Sequence, residues 1–245
     1  MELYIIRHAQ SANNALANQS DREQDPKLTE LGRKQAELLA RHLASEPHPE
    51  QRYMDDPEKT GVETVRGYGI NRLYCSAMHR SLETATAVGN EIGVQPEIWC
   101  DVHETGGIFL NHGGERGIVG YPGMTRSEIQ AKFPAVEIGT EVSEKGWWDP
   151  SAGEEDWAIC QGRAIRVART LWGMADRGET GPLALVSHAG FMEALFKALL
   201  NSLPAPGLTV YHFNTAITRV DLAPGRELHL RYLNRVPHLP QDLVS

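Results

Sequence analysis

Two histidines directly follow short apolar runs that are typical of buried strands. His8 comes after residues 3–6 with Arg7 between them, and His188 comes after the apolar run 183–187. In open α/β sheets, ligands bind at the carboxyl ends of the strands, so both histidines are placed for chemistry. Either histidine alone could be a structural core residue. An arginine at the end of a buried strand, however, needs an anion, and Arg7 therefore favours an anion-binding site.

A third polar group follows another predicted strand. Arg80 comes a few residues after the run 72–76, at the start of an alanine-rich segment with helical spacing. Taken alone, Arg80 fits a solvated helix residue. Together with His8 and His188, it adds a second guanidinium at the end of a third strand.

Strands and helices alternate along the chain and would position these residues. Short apolar, β-rich runs predict strands at 3–6, 72–76, 96–100, 183–187, 209–213, 217–222 and 228–233. Apolar periodicity predicts helices at 29–43 with Thr29 as N-cap, and at 80–92, 125–133, 154–174 and 191–200. The acids before Trp157 are predicted as the first turn of the fourth helix, where the helix dipole favours them. This alternation favours an α/β fold, a three-layer α/β/α sandwich with a mostly parallel central sheet.

The chain is predicted to form one domain over residues 1–245. A proline- and acid-rich stretch at about 44–70 is predicted as a surface insertion. Residues 104–124 hold seven glycines and are predicted to lack regular structure. The wider region 105–148 is expected to face the substrate.

Composition excludes several classes of protein. With 24 Lys+Arg against 32 Asp+Glu, the net charge of −8 argues against a general nucleic-acid binder, which needs a basic face. No apolar run reaches the length of about 18 residues that spans a membrane. Three widely spaced cysteines fit neither a disulfide framework nor a metal knuckle, so we expect a cytoplasmic protein.

The motifs in combination resemble those of a known family. Arg7-His8-Ala9-Gln10-Ser11 with Asn14 resembles the RHG motif of the histidine phosphatase superfamily, also called the phosphoglycerate mutase-like family. The resemblance continues in order through 28–36, 76–85, Glu104 before a glycine pair, and 186–190. It spans nearly the whole chain and implies a phosphoglycerate mutase-like fold. In two places the chain departs from the family pattern: Ala9 stands where the family most often has glycine, and Glu155 replaces the serine of a Gly-Glu-Ser sequence.

Phosphoryl transfer needs an in-line nucleophile and positive charge around the phosphoryl oxygens, and the resemblance assigns these roles to residues. His8 would attack phosphorus as a neutral imidazole and form a phosphohistidine. Arg7 and Arg80 would hold the phosphoryl oxygens by charge-assisted hydrogen bonds. His188 would be a further donor, as an imidazolium. Two neutral groups complete the predicted phosphate site, namely Asn14 and Ala189.

The leaving alkoxide needs a proton, and Glu104 is the predicted acid. Asp101 and Glu115 are alternatives for this role. No metal and no cofactor are expected, because the arginines and His188 neutralise the phosphoryl charge.

Three functions are compatible with these residues. The first is a phosphatase acting on small phosphorylated substrates. The second is a phosphoglycerate mutase-type phosphotransferase, which would need extra cations to retain its intermediate. Residues 105–148 supply only Arg116, Arg126, Lys132 and Lys145, which favours the phosphatase. The third is a binding module without catalysis, which has no need of His8. A homodimer is allowed by the sequence.

Overall fold

The computed structural model describes residues 1–45, 67–179, 181–205 and 207–245. The insertion predicted at about 44–70 falls mainly on residues 46–66, which lie outside the described residues.

A central sheet of six strands organises the chain. Its strands are β1 (Glu2–Arg7), β2 (Arg72–Cys75), β3 (Pro96–Ile98), β6 (Leu183–Ser187), β7 (Ile217–Ala223) and β8 (Glu227–Arg235). They lie in the order β3-β2-β6-β1-β7-β8. The pairs β2–β3, β2–β6 and β1–β6 are parallel, whereas β1–β7 and β7–β8 are antiparallel. The sheet is therefore mostly parallel, as predicted.

Helices connect the strands and cover the sheet. They are α1 (Ala12–Ala15), α2 (Glu30–Ala44), α3 (His79–Ile92), α4 (Arg126–Lys132), α5 (Trp157–Asp176) and α6 (Ala189–Leu199). The predicted N-cap of α2 is confirmed, because the Thr29 side chain accepts a hydrogen bond from the Gly32 amide. Helix α4 begins with a capping box between Thr125 and Glu128.

The alternating side chains of β1 show how the layers form. Leu3 and Ile5 pack into a cluster with α5 and α6, whereas Tyr4 and Ile6 pack into a second cluster with α2 and α3. All four side chains are buried, because both faces of the sheet are covered by helices. The predicted three-layer α/β/α sandwich is confirmed.

Two predicted segments differ from the structure. The run 209–213 is not a strand, because its backbone bonds to side chains: Val210 N–H donates to Glu193 and Phe213 N–H to Asn234. Within the glycine-rich stretch 104–124, the chain forms a small antiparallel hairpin of β4 (Phe109–Asn111) and β5 (Ile118–Gly120). Glycines with positive φ at its tip permit this tight reversal.

The three cysteines are all free. Over the residues that the structure describes, no helix combines the length and apolar character that crossing a membrane requires.

Candidate active site

Neighbouring parallel strands bring His8 and His188 together. In the β1–β6 pair, Arg7 lies opposite Ser187, and the His8 amide donates to the Ser187 carbonyl at 2.9 Å. Each histidine is the first residue beyond its strand, so the two rings meet with centroids 4.8 Å apart. The pairing predicted from two separate strand ends is thus present at the carboxyl edge of the sheet.

Hydrogen bonds fix which nitrogen of His8 is available for attack. Nδ1 lies 2.7 Å from the carbonyl oxygen of Ala9, and this bond requires a proton on Nδ1. Nε2 therefore carries the lone pair, and it accepts a hydrogen bond from Nε of Arg80 at 3.1 Å. The His8 carbonyl accepts a hydrogen bond from the side-chain Nδ2 of Asn214 at 2.9 Å, which holds the backbone of His8 in place.

The environment of His8 keeps its imidazole neutral. Burial, and then the positive charges of Arg80 and Arg7, lower its pKa well below the usual 6.5. A protonated imidazole has no lone pair at Nε2 and cannot attack phosphorus. The site thus favours the nucleophilic form of His8 at neutral and mildly acidic pH.

Two buried guanidiniums flank the histidines. Arg7 donates from Nη1 to the His212 carbonyl at 2.6 Å, and within the described residues its Nε has no hydrogen-bond partner. Arg80 has Nη1 3.9 Å from the carboxylate of Asp25. Burial lowers the pKa of both guanidiniums, yet arginine stays charged at physiological pH. The site therefore holds two fixed positive charges for phosphoryl oxygens.

His188 differs from its predicted charge state. Its Nε2 lies 2.7 Å from the Ser76 hydroxyl, which itself accepts a hydrogen bond from the Met78 amide. Burial, Arg80 and His8 lower the pKa of His188 well below 6.5, so the predicted imidazolium is wrong for the ligand-free chain. In the neutral tautomer that carries its proton on Nδ1, Nε2 accepts a hydrogen bond from the Ser76 hydroxyl.

That Nδ1–H of His188 has a functional consequence. It is buried and, over the described ranges, has no hydrogen-bond partner. A buried N–H without a partner is costly, and a phosphoryl oxygen beside His8 would satisfy it. His188 thus remains a donor, but as a neutral one.

Glu104 lies where helix α6 begins. Its Oε1 accepts hydrogen bonds from the amides of Thr105 at 2.9 Å and Phe191 at 3.0 Å. The field of Glu104 raises the pKa of both Arg7 and Arg80, so its carboxylate lies near both guanidiniums. A Cβ at Gly190 would come within 2.8 Å of Oε1, which explains why glycine is needed there.

The two alternative acids lie elsewhere. The Asp101 carboxylate contacts Arg166 at 3.4 Å, and its side chain is 39% exposed. Glu115 is exposed in the turn between β4 and β5. Of the three candidate acids, Glu104 is the one whose charge acts on both arginines of the site.

Asn14 and Ala189 occupy different parts of the site. The Asn14 side-chain oxygen accepts from the Ser11 amide and hydroxyl, so only its amide nitrogen is left to face a ligand. Ala189 is the first residue of α6, where helix N–H groups and the helix dipole favour an anion. The substitution at Ala9 causes no strain, since its φ is not in the left-handed region.

Sequence reasoning missed three residues that support this site. The Ser76 hydroxyl contacts Nε2 of His188, Asp25 faces Arg80, and the Asn214 side chain holds the His8 carbonyl. Ser76 stands at the end of a predicted strand, which was a usable signal. Asp25 and Asn214 lie in irregular segments, and nothing in the local pattern singles them out.

Five histidines with lowered pKa values should make the protein sensitive to acid. Burial lowers the pKa of His103 and His238 to about 3 and that of His212 to about 4. It also lowers the pKa values of His8 and His188 well below 6.5. Unfolded, these groups bind protons near pH 6.5, so the unfolded state binds more protons below that pH. We expect the free energy of unfolding to decrease as the pH is lowered below about 6.5, by about 1.4 kcal/mol per pH unit for each histidine that stays neutral in the folded state.

Urea unfolding at pH 7.5 and 5.5 measures this effect. The variant His238→Asn removes one of these groups outside the site and should reduce the pH dependence. A free energy of unfolding that is equal at both pH values would contradict the buried neutral state of these histidines.

Comparison with known proteins gives a consistent assignment. The model of the histidine phosphatase superfamily (branch 1) matches residues 3–53 and 59–235. A glucosyl-3-phosphoglycerate phosphatase of Mycolicibacterium vanbaalenii is 28% identical over 203 residues, covering 81% of this chain and 73% of the relative. Its counterpart from Mycobacterium tuberculosis is 26% identical over the same length, covering 81% and 74% of the two chains.

Solved structures share the fold. A mycobacterial glucosyl-3-phosphoglycerate phosphatase in complex with VO3 superposes with a TM-score of 0.57 at 23% identity, covering 96% of this chain and 99% of that one. An Entamoeba histolytica phosphoserine phosphatase bound to 3-phosphoglyceric acid gives a TM-score of 0.55 at 19% identity, covering 98% and 99%. The predicted family, fold class and phosphatase class are confirmed. The chain belongs to the histidine phosphatase superfamily, branch 1.

Proposed function

We propose that this chain hydrolyses phosphate monoesters of small metabolites through a phosphohistidine on His8, without a metal ion. The observation that carries the proposal is the state of His8. Its imidazole is neutral, its Nδ1–H is held by the Ala9 carbonyl, and its Nε2 lone pair faces Arg80. A fixed neutral imidazole beside two guanidiniums has the composition that phosphoryl transfer to histidine needs.

In the first step, Nε2 of His8 attacks phosphorus, and the bond from phosphorus to the leaving oxygen breaks. Arg80 exchanges its hydrogen bond with Nε2 for one with a phosphoryl oxygen. Arg7 and His188 supply further donors, so the developing charge on the phosphoryl oxygens is stabilised by two guanidiniums and a neutral N–H. Glu104, in its protonated form, gives its proton to the leaving oxygen.

In the second step, a water molecule attacks the phosphohistidine. Glu104, now ionised, takes a proton from that water, and the bond between phosphorus and Nε2 breaks. Inorganic phosphate leaves, and His8 and Glu104 return to their starting states. The same carboxylate serves both steps, because each step moves one proton on the same side of the phosphoryl group.

Two of the four cations of the region 105–148, Arg126 and Arg116, support hydrolysis rather than a mutase reaction. Arg126 donates to the carbonyls of Ile138 and Gly139, so it holds its own loop together. Arg116 is exposed on the tip of the β4–β5 hairpin. A mutase would need such groups to retain a doubly phosphorylated intermediate.

The relatives suggest which substrates to test first. Glucosyl-3-phosphoglycerate is named for the mycobacterial relatives, and we propose a phosphorylated small molecule of that kind for this chain. A panel of glucosyl-3-phosphoglycerate, phosphoserine, 3-phosphoglycerate and sugar phosphates at mildly acidic pH, with release of inorganic phosphate as readout, tests this. Transfer of phosphate to 3-phosphoglycerate without release would instead support the mutase.

The metal-free mechanism predicts a specific inhibition pattern. Turnover should survive incubation with EDTA, because the guanidiniums of Arg7 and Arg80 supply the positive charge. Vanadate should inhibit, because its vanadium can adopt the five-coordinate geometry that phosphorus has during the transfer. Among the described residues, no group of three or more metal-binding side chains occurs. Loss of activity with EDTA and recovery with a divalent ion would refute the mechanism.

A cytoplasmic location, a homodimer and the absence of a nucleic-acid partner remain predictions from the sequence. Size-exclusion chromatography with light scattering would settle the oligomeric state.

A further inference from the structure

Arg163 is a buried residue of helix α5, and its guanidinium donates hydrogen bonds to three residues. Its side chain is about 2% exposed. Nε and Nη2 donate to the two carboxylate oxygens of Glu155 at 3.0 and 2.5 Å. Nη1 donates to the backbone carbonyls of Asp101 at 2.6 Å and His103 at 2.8 Å.

These contacts surround Glu104. His103 directly precedes it in the chain, and Asp101 lies three residues before it. The guanidinium also stacks on the ring of Phe191 at 4.6 Å, and the Phe191 amide donates to Oε1 of Glu104. Arg163 therefore contacts both the backbone that carries Glu104 and the residue that binds its carboxylate.

Glu155 extends the same arrangement to the other side of Glu104. Its amide donates to the Gly106 carbonyl at 3.0 Å, two residues after Glu104. Its carboxylate also lies 3.8 Å from the ring nitrogen Nε2 of His103. The Arg163–Glu155 pair thus fixes the chain before and after Glu104.

Stability alone does not account for this pair. A buried ion pair carries a large desolvation cost, and apolar residues of similar volume often replace it without loss of stability. What an apolar pair cannot replace is the directed bonding of one planar guanidinium to two carbonyls and a carboxylate.

We propose that Arg163, held by Glu155, is a positioning residue that sets the orientation of the Glu104 carboxylate for proton transfer. This inference rests on the proposed role of Glu104 as proton donor. Arg163 does not contact the site of phosphoryl transfer in the hydrogen bonds above, so its effect should pass through Glu104. Misplacement of a catalytic group by about 1 Å can reduce the rate about 10²-fold.

The test compares two leaving groups in the variant Arg163→Lys. Lysine keeps the positive charge, but its single ammonium cannot reproduce the hydrogen bonds of a planar guanidinium. The comparison uses kcat/KM, which reports formation of the phosphohistidine and not its later hydrolysis. With sn-glycerol 3-phosphate, whose alkoxide needs a proton, we expect kcat/KM to fall about 10- to 100-fold. With p-nitrophenyl phosphate, whose phenolate leaves without one, we expect a clearly smaller loss. The Kd for inorganic phosphate should change little, because phosphate binding does not involve Arg163.

Arg166→Lys is the matched control on the same helix. Arg166 is 60% exposed and contacts the Asp101 carboxylate rather than the backbone around Glu104. We expect near wild-type rates with both esters. An equal loss with both esters in Arg163→Lys would overturn the proposal and assign the residue a general structural role.

The double variant Glu104→Gln/Arg163→Lys separates this inference from the proposed function. If Arg163 acts through Glu104, the double variant should hydrolyse sn-glycerol 3-phosphate as slowly as Glu104→Gln alone. Multiplying losses would overturn the inference while Glu104 keeps its role. Equal losses of both esters in Glu104→Gln alone would instead overturn the role of Glu104, and the inference with it.

A neutral pair covers the case in which Arg163→Lys is unstable. Glu155→Leu/Arg163→Met replaces both charges by apolar groups and should remain folded, as judged by urea unfolding. It should show the same selective loss with sn-glycerol 3-phosphate. A folded protein with wild-type rates on both esters would overturn the inference.

Discussion

The variant His8→Ala should lose both turnover and the phosphoenzyme. Alanine has no nucleophilic nitrogen, and the two arginines and His188 cannot form the covalent intermediate themselves. We expect the rate with p-nitrophenyl phosphate to fall on the order of 10⁴-fold or more. Rapid quenching in alkali, which preserves phosphohistidine, should trap a labelled protein in the wild type and none in the variant.

The experiment needs a control that separates the loss of His8 from the loss of a histidine elsewhere in the protein. His229→Ala is the matched control, because its side chain is 45% exposed on strand β8 and lies outside the site. It should keep full turnover and phosphoenzyme. Since the His8 ring is buried, unfolding by urea should confirm that His8→Ala is folded. Hydrolysis near the wild-type rate by a folded His8→Ala would refute the assignment of the nucleophile.

The sequence predicts the histidines well because strand ends leave a local signal. A short apolar run followed by a polar residue marks where a buried strand reaches the edge of the sheet. His8 and His188 both have that signal, and the parallel pairing of β1 and β6 brings them within reach. Arg80 has the same signal after β2, at the first turn of α3.

Charge states are less predictable because they depend on contacts between distant parts of the chain. The predicted imidazolium of His188 is wrong for the ligand-free chain, because burial and the charge of Arg80 lower the pKa of this ring. The hydrogen bond between Ser76 and this ring joins residues 112 positions apart. No local pattern contains that information.

Glu155, just before the start of α5, is a second case in which a distant contact decides the environment of a charged group. The sequence explains the acids before Trp157 by the helix dipole, but the helix begins at Trp157 with Asp156 as its N-cap. Glu155 is instead buried against Arg163, eight residues further along. Local propensity correctly finds the helix there but cannot reveal a partner that tertiary packing supplies.

The variant Glu104→Gln should hurt hydrolysis in proportion to how much the leaving group needs a proton. Glutamine keeps the shape of the side chain and can still accept the hydrogen bonds from Thr105 and Phe191 through its carbonyl oxygen. It cannot transfer a proton. General acid catalysis typically contributes about 10²- to 10⁴-fold, so we expect that loss in kcat/KM with sn-glycerol 3-phosphate. The loss in kcat/KM with p-nitrophenyl phosphate should be clearly smaller, because kcat/KM reports formation of the phosphohistidine and not its hydrolysis.

The alternative acids provide the controls, since each is also a carboxylate near the region 101–115. Asp101→Asn and Glu115→Gln should keep near wild-type rates with both esters, because Asp101 contacts Arg166 and Glu115 is exposed. Hydrolysis of the phosphohistidine also needs Glu104, as base, so the variant should accumulate phosphoenzyme with p-nitrophenyl phosphate. Equal losses in kcat/KM for both esters would make Glu104 a binding carboxylate. A leaving-group-dependent loss in Asp101→Asn or Glu115→Gln would transfer the acid role to that residue.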